Sequence, residues 1–563
     1  MTKFDKTLLL LRTLRYLKPR QWLFRFWYLV YKPSADTSVA PSRRPLGSWQ
    51  RPPVKPDSRV EPGVFRFLNV ERDYSQEILW YDAGCERLWI YNLHYFDYVQ
   101  SAALLDAPDT AGKLIRQWIA ENPPGSGWGW DPYPNSLRIV NWIKWAVQAD
   151  EPVEWLEHSL AVQVRWLSRT VEHQILANHL FANAKALVFA GLYFSGPEAD
   201  RWLVRGIALV NSELDEQVLA DGAHYERSPM YHAIILEDVL DMLNLAMAAA
   251  NGESDSDPDL RISSAAADDH VFVDTLKRWR SKAREMLSWY GAMVHPDGQL
   301  SFFNDAAMQI ALPLEVLQAY AARLGIDTHA DPRSAHLSHI LEDSGYAILH
   351  NEQMRLIADV APVGPDYQPG HTHADTLSFE LCVGAERVLV NSGTSTYKMG
   401  DQRHLERSTR THNTVEVNDA NSSEVWAGFR VARRAYPQGV RFQLSDQGAY
   451  LQAAHDGYRR LKPSVTHQRT WQLNDAELTI TDRLEGAWNK AVGRLYLHPD
   501  MRLGEKQTIT TPSGAVLQWE LRGAKPRTID SLWYYEFGKS KENQCIEYVF
   551  ESNEVTFALS LST

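Results

Sequence analysis

The hydrophobic positions along the chain change their period near residue 345. Between about residues 64 and 330, apolar side chains recur at i, i+3, i+4 and i+7, which predicts amphipathic α-helices. The clearest examples are the segments 155–173, 175–194, 201–219 and 229–250. Because the connections between these segments are short, we expect neighbouring helices to pack antiparallel.

Beyond residue 345 the pattern is typical of β-strands. Short runs alternate between apolar and polar positions, are rich in β-branched side chains and are separated by Gly, Asn and Asp. Such runs predict antiparallel sheets stacked face to face. We therefore expect a multidomain chain, helical first and β second: a basic N-terminal segment with a Pro-rich arm at 1–63, a helical domain at 64–335 and a β domain at 336–563.

The first 35 residues are basic, with eight Lys or Arg residues against one acid, Asp5, whereas the whole chain carries a net charge of −12. The apolar runs there are too short for the core of a signal peptide or for a bilayer-spanning helix, so we expect neither. Two interpretations remain open: a helix packed on the body with its basic face in solvent, or a basic amphipathic segment on an anionic membrane surface. A cytoplasmic or membrane-peripheral location is favoured, and a periplasmic one stays open.

The composition argues against several classes of function. The net negative charge has the wrong sign for binding phosphate backbones, so nucleic acid is not an expected partner. Three scattered cysteines, Cys85, Cys382 and Cys545, supply neither a disulfide framework nor a thiolate zinc site. The chain is rich in aromatic residues (20 Trp, 24 Tyr and 18 Phe), and rings with a polar edge suit sugar-binding clefts. The acidic, aperiodic stretch 251–270 predicts a surface insertion.

Two polar clusters lie on predicted helices. Asn178 and His179 sit among apolar neighbours, where polar groups need partners, and are either a buried hydrogen-bonded pair or an amide and an imidazole that face a cleft. In the second cluster Ser228 is a predicted N-cap and Pro229 the first helical residue, which places Tyr231 in the first turn. The helix dipole there favours a tyrosinate that can act as a base, and a merely polar helix start is the alternative.

A third cluster precedes a predicted strand. His371 and His373 are two residues apart and share one face in extended geometry. With Asp375 they can hold a metal ion or polarise a substrate, and histidines of a solvated loop are the alternative interpretation.

These motifs, in this order, resemble those of the heparinase II/III-like family of polysaccharide lyases. The matching segments are NLHYFDY (92–98), WDPYPNSLRIVNWI (130–143), NHLFANAKAL (178–187), DGAHYERSPMYH (221–232), GHTHADTLSFEL (370–381) and THNTVEV (411–417). The resemblance implies an N-terminal incomplete (α/α) toroid followed by a C-terminal antiparallel β-sandwich. It also implies β-elimination on a uronic-acid-containing glycan, with an unsaturated uronate at the new chain end.

The resemblance assigns roles to matching positions. Asn178 and His371 are expected to neutralise the uronate carboxylate, without which the C5 proton is too weakly acidic to be removed. Tyr231 is expected to take the C5 proton, to protonate the leaving O4, or to do both, and His179 to be the base when the proton lies on the opposite face. The candidate substrate-binding residues are Tyr95, Tyr133, Arg138, Glu226 and Arg407.

A structural zinc ion is a further implication of the resemblance. His373 and His412 match the two histidine ligands of the family, but Asn391 stands where the family has Asp. Because an amide is a poorer zinc ligand than a carboxylate, three alternatives stay open: weak binding of zinc, assistance from Asp375, or hydrogen bonds in place of the metal. No organic cofactor is implied.

A lyase that acts on an acidic polysaccharide is the favoured function. A uronosyl C5-epimerase uses the same proton abstraction, and a non-catalytic acidic-glycan-binding protein needs no chemistry at all. A glycoside hydrolase needs two carboxylates, for which Glu226 and Asp221 are available. Because the chain outside its N-terminus is acidic, we expect a non-sulfated polymer such as a bacterial exopolysaccharide. The sequence makes no prediction of the oligomeric state.

Overall fold

The computed structural model describes residues 3–149, 153–251, 269–327 and 337–562. Helices dominate the first half of the chain and strands the second, as the change of period predicts. The predicted boundary between residues 335 and 336, and most of the predicted insertion at 251–270, lie outside the described residues.

Two helices, α1 (Lys3–Leu14) and α2 (Pro19–Val30), open the chain and are followed by an extended arm. A small antiparallel sheet comes next, made of β1 (Arg59–Glu61), β2 (Val64–Phe67) and β3 (Val70–Asp73). Leu68 and Asn69 turn the chain between β2 and β3 with φ of 53° and 59°. The helical region therefore begins later than the predicted residue 64, because this hairpin precedes it.

The remaining helices surround an aromatic-rich apolar core. They are α3 (Arg87–Tyr95), α4 (Ala102–Leu105), α5 (Pro108–Glu121), α6 (Pro132–Gln148), α7 (Glu154–Thr170), α8 (Ala177–Tyr193), α9 (Pro197–Gln217), α10 (Pro229–Asn251), α11 (Asp269–Met293) and α12 (Leu314–Arg323). A short helix, α13 (Asp401–Glu406), lies between strands of the second half. The four helices predicted from periodicity correspond to α7–α10 and are confirmed. Consecutive helices pack on one another, α8 against α9 and α10 against α11. Of the helices in the described residues, none combines the length and the hydropathy needed to cross a membrane.

The strands of the second half form antiparallel sheets. They are β4 (His339–Leu341), β5 (Tyr346–His350), β6 (Met354–Asp359), β7 (Phe379–Val383), β8 (Glu386–Leu389), β9 (Val415–Val417), β10 (Val425–Trp426), β11 (Arg430–Val431), β12 (Pro437–Ser445), β13 (Gly448–His455), β14 (Val465–Leu473), β15 (Glu477–Gly486), β16 (Ala491–Tyr496), β17 (Arg502–Gly504), β18 (Thr508–Thr510), β19 (Val516–Arg522), β20 (Ala524–Glu536), β21 (Lys539–Phe550) and β22 (Glu554–Leu561).

Three of these sheets share one hydrophobic core. Their strand orders are β4-β5-β6-β7-β8, β12-β13-β14-β15-β22-β19-β18-β17 and β20-β21-β16-β9, and β10 pairs with β11. Leu356, Trp471 and Ile546, one from each sheet, are buried together. Along β13 burial alternates residue by residue, as expected for a strand with one face in the core. The core of the helical domain extends to Trp533 and Phe537 of β20 and the turn after it, so the two domains pack directly on each other.

Candidate active site

The four predicted catalytic residues lie where the first turns of α8 and α10 meet the loop before β7. The rings of Tyr231 and His371 are stacked, with centroids 3.7 Å apart at 27°. The ring of Tyr133 lies 4.3 Å from that of His179. Burial first, and the nearby charge of His179 among other groups, lower the pKa of His371. The helical domain thus supplies Asn178, His179 and Tyr231, and the β domain supplies His371.

The entry into α8 is strained. Leu176 and Ala177 both adopt positive φ, at 71° and 53°, which costs energy in residues that carry a Cβ. Asn178 follows in the first turn and is 5% exposed. Its Oδ1 is buried and has no hydrogen-bond partner among the described residues. Asn178 and His179 are therefore not a mutually bonded structural pair, and the amide has capacity left for a ligand.

His179 is paired with a carboxylate that sequence reasoning missed. Its Nδ1 lies 3.2 Å from Oε1 of Glu172. Asn183 holds Glu172 in place, because its Nδ2 donates to Glu172 Oε2 over 3.2 Å and its Oδ1 accepts from the Glu172 backbone N–H over 2.8 Å. The carboxylate favours the tautomer with the proton on Nδ1 and leaves Nε2 as the proton acceptor. The side chain of His179 is 31% exposed, so Nε2 is accessible to a substrate.

Tyr231 occupies the predicted place in the first turn of α10. Ser228 acts as N-cap, since its Oγ accepts from the Tyr231 backbone N–H over 3.2 Å. The phenol oxygens of Tyr231 and Tyr397 are 3.0 Å apart. Burial, followed by the charges of Tyr397 and Asp305, raises the pKa of Tyr231 well above its usual value. The expected tyrosinate is therefore not the favoured state of the resting protein, because burial outweighs the helix dipole.

Asp305 is the central residue of the site and was not predicted. Its Oδ2 lies 2.9 Å from His371 Nδ1 and its Oδ1 lies 2.9 Å from His373 Nε2. Arg403 forms a two-point ion pair with the same carboxylate, with Nη2 at 2.7 Å from Oδ2. Burial opposes ionisation of Asp305, but Arg403 and the two histidines outweigh it and hold the pKa well below the usual range. Asp305 thus carries a charge and fixes the orientation of both imidazoles.

Two of the predicted substrate-binding residues line the site with aromatic rings. Tyr133 is partly exposed and packs against His179. Tyr95 is buried behind it, with its ring edge-to-face to Tyr133 at 5.9 Å and 83°. Tyr133 can therefore stack on a sugar, whereas Tyr95 supports it from behind.

Arg138 does not line the cleft, which corrects the prediction that it contacts substrate. Its side chain is fully buried against the Trp118 ring, with the guanidinium carbon 3.8 Å from the ring centroid. Its guanidinium nitrogens donate at 2.7–2.9 Å to Gln163 Oε1, the Gly129 carbonyl and Asn135 Oδ1. Every nitrogen has a partner within the protein, so Arg138 holds the helical core together.

Arg407 is also fully buried, so the prediction that it lines the cleft is corrected in the same way. Its Nε donates to the carbonyl of Thr372 over 2.8 Å, and the backbone N–H of Ala374 donates to its carbonyl over 2.9 Å. Arg407 therefore stabilises the loop that carries His371 and His373 through hydrogen bonds to its backbone.

Glu226 is a buried acid without a hydrogen-bond partner. It is 2% exposed, and neither carboxyl oxygen is hydrogen-bonded within the described residues. The nearest polar contact is His224 Nδ1, at 3.8 Å from Oε2. Burial, with a contribution from the Asp305 charge, raises the pKa of Glu226 to about 8. Glu226 is therefore neutral at physiological pH and neither contacts solvent nor orients Tyr231 directly.

We expect Glu226→Gln to change how stability depends on pH. Because burial raises the folded-state pKa from 4.5 to about 8, the folded protein keeps a proton that the unfolded chain has lost between those values. The wild-type free energy of unfolding should therefore fall, relative to the variant, by up to about 1.4 kcal/mol per pH unit across this window. Denaturant unfolding of both proteins between about pH 5 and about pH 9 measures this difference.

The exposed Glu352→Gln substitution is the matched control and should give a curve parallel to the wild type. Parallel curves for Glu226→Gln as well would show that Glu226 is ionised in the folded protein.

The residues implied in zinc binding lie together, but they do not fit a three-ligand site. His373 Nδ1 faces His412 Nε2 at 3.2 Å, while Asn391 Oδ1 lies 3.3 Å from the other ring nitrogen of His412. The three donor atoms therefore do not converge on one point. No cluster of three His, Cys, Asp or Glu side chains within the described ranges has the geometry to hold a metal. A continuous series of buried hydrogen bonds links the side chains of Asp305, His373, His412 and Asn391 instead.

Comparison with known proteins gives two family matches and several relatives. The model described as Heparinase II/III N-terminus matches residues 136–268, and the one described as Heparinase II/III-like, C-terminal matches residues 334–562. A heparin-sulfate lyase of Bacteroides stercoris is 24% identical over 350 residues, 58% of this chain and 46% of that protein. FtsZ-localized protein C of Caulobacter vibrioides is 25% identical over 480 residues, 78% of this chain and 75% of that protein.

Among solved structures, one of Heparinase III covers 87% of this chain and 80% of its own, with a TM-score of 0.67 and 16% identity. That likeness confirms the predicted fold, a helical toroid followed by a β-sandwich. The heparin-sulfate lyases of Bacteroides stercoris and Pedobacter heparinus are matched over only 46% and 64% of their own length, so the chain spans less than two thirds of each. The two family models together match more than half of the chain, which therefore belongs to the heparinase II/III-like family.

Proposed function

We propose that this protein cleaves a uronic-acid-containing glycan by β-elimination. The observation that carries the proposal is the combination at one point of Asn178, whose buried Oδ1 has no partner among the described residues, and an imidazole, His371, held by a carboxylate and stacked on Tyr231. The names of several relatives, heparin-sulfate lyases, support the same class of reaction.

The first requirement of the reaction is to neutralise the substrate carboxylate. Asp305 accepts from His371 Nδ1, so Nε2 of that ring is the atom available to a substrate. A proton taken up from solvent with the substrate and shared between Nε2 and the uronate carboxyl, together with a hydrogen bond donated by Nδ2 of Asn178, withdraws charge from C5 and acidifies its proton. The ionised Asp305 supports the positive charge on His371 that this step creates.

The second requirement is a base and an acid. When the C5 proton and O4 lie on opposite faces, Nε2 of His179 takes the proton, the C5–H electron pair forms the C4–C5 double bond, and the C4–O4 bond breaks. Tyr231, a neutral phenol in the resting protein, gives its proton to O4. When both groups lie on one face, the Tyr231 oxygen takes the C5 proton while its own hydroxyl proton passes to O4, so the phenol is neutral again at the end of the step.

The charges near the site favour a substrate with few or no sulfate groups. Arg138 and Arg407 are buried, and Arg403 is committed to Asp305. These three guanidinium groups are therefore not available to bind the sulfate groups of a densely sulfated sugar. We therefore propose a non-sulfated uronate polymer, such as a bacterial exopolysaccharide, although relatives carry the name of a lyase for a sulfated one.

A panel of polymers tests the proposal. Alginate, hyaluronan, unsulfated heparosan and heparan sulfate are incubated with the protein, and the ultraviolet absorbance of the conjugated double bond is followed. Absorbance with an unsulfated polymer is the expected result, and absorbance with heparan sulfate alone would overturn the substrate assignment. Solvent deuterium entering C5 without absorbance would identify a C5-epimerase, and glycan binding without either signal would identify a binding protein.

A further inference from the structure

The two N-terminal helices carry large apolar side chains on their outer side. Leu23 and Phe26 are 64% and 62% exposed, in contrast to the fully buried aromatic residues of the helical core. We call this set the N-terminal apolar face, which consists of Phe4, Leu11, Trp22, Leu23, Phe26, Trp27, Leu29 and Val30. On α2 its members recur at helical spacing, so they form one continuous surface.

Besides the ring of Phe24, which lies 4.4 Å from the ring of His173, the side of α2 that packs on the body makes polar contacts. Gln21 is fully buried, and its Nε2 donates to the carbonyl of Tyr367 over 3.3 Å. Arg20 contacts His173, and the hydroxyl of Tyr28 donates to the carbonyl of Val171 over 2.6 Å. A helix at a water surface normally buries its apolar stripe and exposes its polar one. The polar contacts fix α2 to the protein while its apolar residues are left outside.

Basic side chains accompany this apolar surface. Lys6, Arg15, Arg25 and Lys32 are exposed, and Asp5 is the one acid among the first 35 residues. Burial, followed by the charge of Arg430 in the β domain, lowers the pKa of Arg25. Arg430 therefore adds a further positive charge near α2. The combination of Trp, Tyr and aliphatic residues with Lys and Arg is typical of helices that lie at the interface of an anionic bilayer.

We propose that α1 and α2 bind the surface of an anionic lipid bilayer and insert the N-terminal apolar face into its interfacial region. Each helix has 12 residues and is about 18 Å long, which suits a position in the plane of the interface. The positive charge of the segment supplies attraction to anionic headgroups, which explains why a protein of net charge −12 concentrates its bases there.

The anchoring of these helices places the cleft beside the bilayer. Around α2, Tyr28 and Arg20 contact Val171 and His173 in the segment that leads into α8 and Asn178. Contacts of α1 reach the β domain, where Arg12 pairs with Glu424 over 3.4 Å. Both helices are thus fixed to the body of the protein, and α2 lies beside the segment that carries Glu172, the partner of His179, so a bound bilayer holds this side of the cleft near its surface.

Vesicle flotation with the full chain tests the proposal. Vesicles of phosphatidylcholine and phosphatidylglycerol in equal parts should carry the protein, and pure phosphatidylcholine vesicles should carry little of it. The variant Leu23→Glu/Phe26→Glu should bind the anionic vesicles at least about tenfold more weakly than the wild type does. Raising the salt to roughly 0.5 M should weaken wild-type binding, because screening reduces the attraction to headgroups.

The matched control is Val440→Glu/Leu444→Glu on β12, where the two residues are also exposed and the added charge is the same. This control should bind as the wild type does, and both variants should keep the wild-type melting temperature because their sites are exposed. Equal binding to neutral vesicles, or equal loss in the control, would overturn the proposal. A third outcome would also overturn it: the wild type does not bind vesicles, and light scattering shows a dimer that Leu23→Glu/Phe26→Glu converts to a monomer. A second copy of the chain would then cover the N-terminal apolar face.

Discussion

Replacing Tyr231 by phenylalanine is expected to lower the rate of double-bond formation by about three orders of magnitude. The phenol is the proposed acid for O4, and within the described part of the chain its hydroxyl is bonded to that of Tyr397. The ring of Phe keeps the stacking on His371 and the place in the core, so the stability lost is about 1 kcal/mol. Initial rates on a cleaved polymer check the loss of rate, and denaturant unfolding checks the loss of stability.

Tyr397→Phe is the matched control, because it removes the same hydroxyl–hydroxyl contact from the other side. We expect it to melt like Tyr231→Phe but to slow the reaction only about tenfold, since Tyr397 acts through Tyr231. If Tyr231→Phe keeps more than about a tenth of the wild-type rate, general acid catalysis by this residue is wrong. If the two variants are equally slow, the hydroxyl pair rather than Tyr231 itself carries the proton.

The order of helices and strands could be predicted from the sequence because each element has its own local period of hydrophobic positions. The apolar periods of α7–α10 appear directly in the chain, and so does the Ser228 cap that starts α10. The hairpin at 59–73 was not predicted, because its strands are three or four residues long and a hydrophobic period cannot be distinguished over so few positions. Its turn, Leu68-Asn69, carries only a weak signal without glycine.

Site residues could be predicted from the sequence only where they belong to a recognisable motif. Asn178, His179, Tyr231 and His371 were identified from their segments, and the structure brings their segments together. Asp305 was missed because Asn304-Asp305 has the composition of an ordinary turn, and its partners are 66 and 98 residues away along the chain. Arg138 and Arg407 were misassigned for the converse reason: an arginine in an aromatic segment or shortly before a motif histidine looks the same in the sequence whether its guanidinium faces a ligand or the core.

Asp305→Asn is expected to damage both stability and catalysis. The substitution leaves the guanidinium of Arg403 buried without a compensating charge, which costs about 3–5 kcal/mol. It also removes the carboxylate that orients His371 and supports its positive charge, so we expect a rate at least about a hundredfold lower per folded molecule. Denaturant unfolding measures the first effect, and the cleavage rate at a temperature where the variant is folded measures the second.

The β-sandwich supplies a control for the structural part. Asp482 is equally buried and pairs with Arg469 Nε and His467 Nε2, each at 2.7 Å, far along the chain from the catalytic residues. Asp482→Asn should lose similar stability and keep the rate per folded molecule. Asp305→Asn should in addition move the His371 limb of the pH–rate profile to lower pH, because Asp305 raises that pKa against the lowering by burial. An unmoved profile would mean that Asp305 stabilises the junction of the two domains without tuning the imidazole, and the neutralisation of the uronate carboxylate would then rest on Asn178.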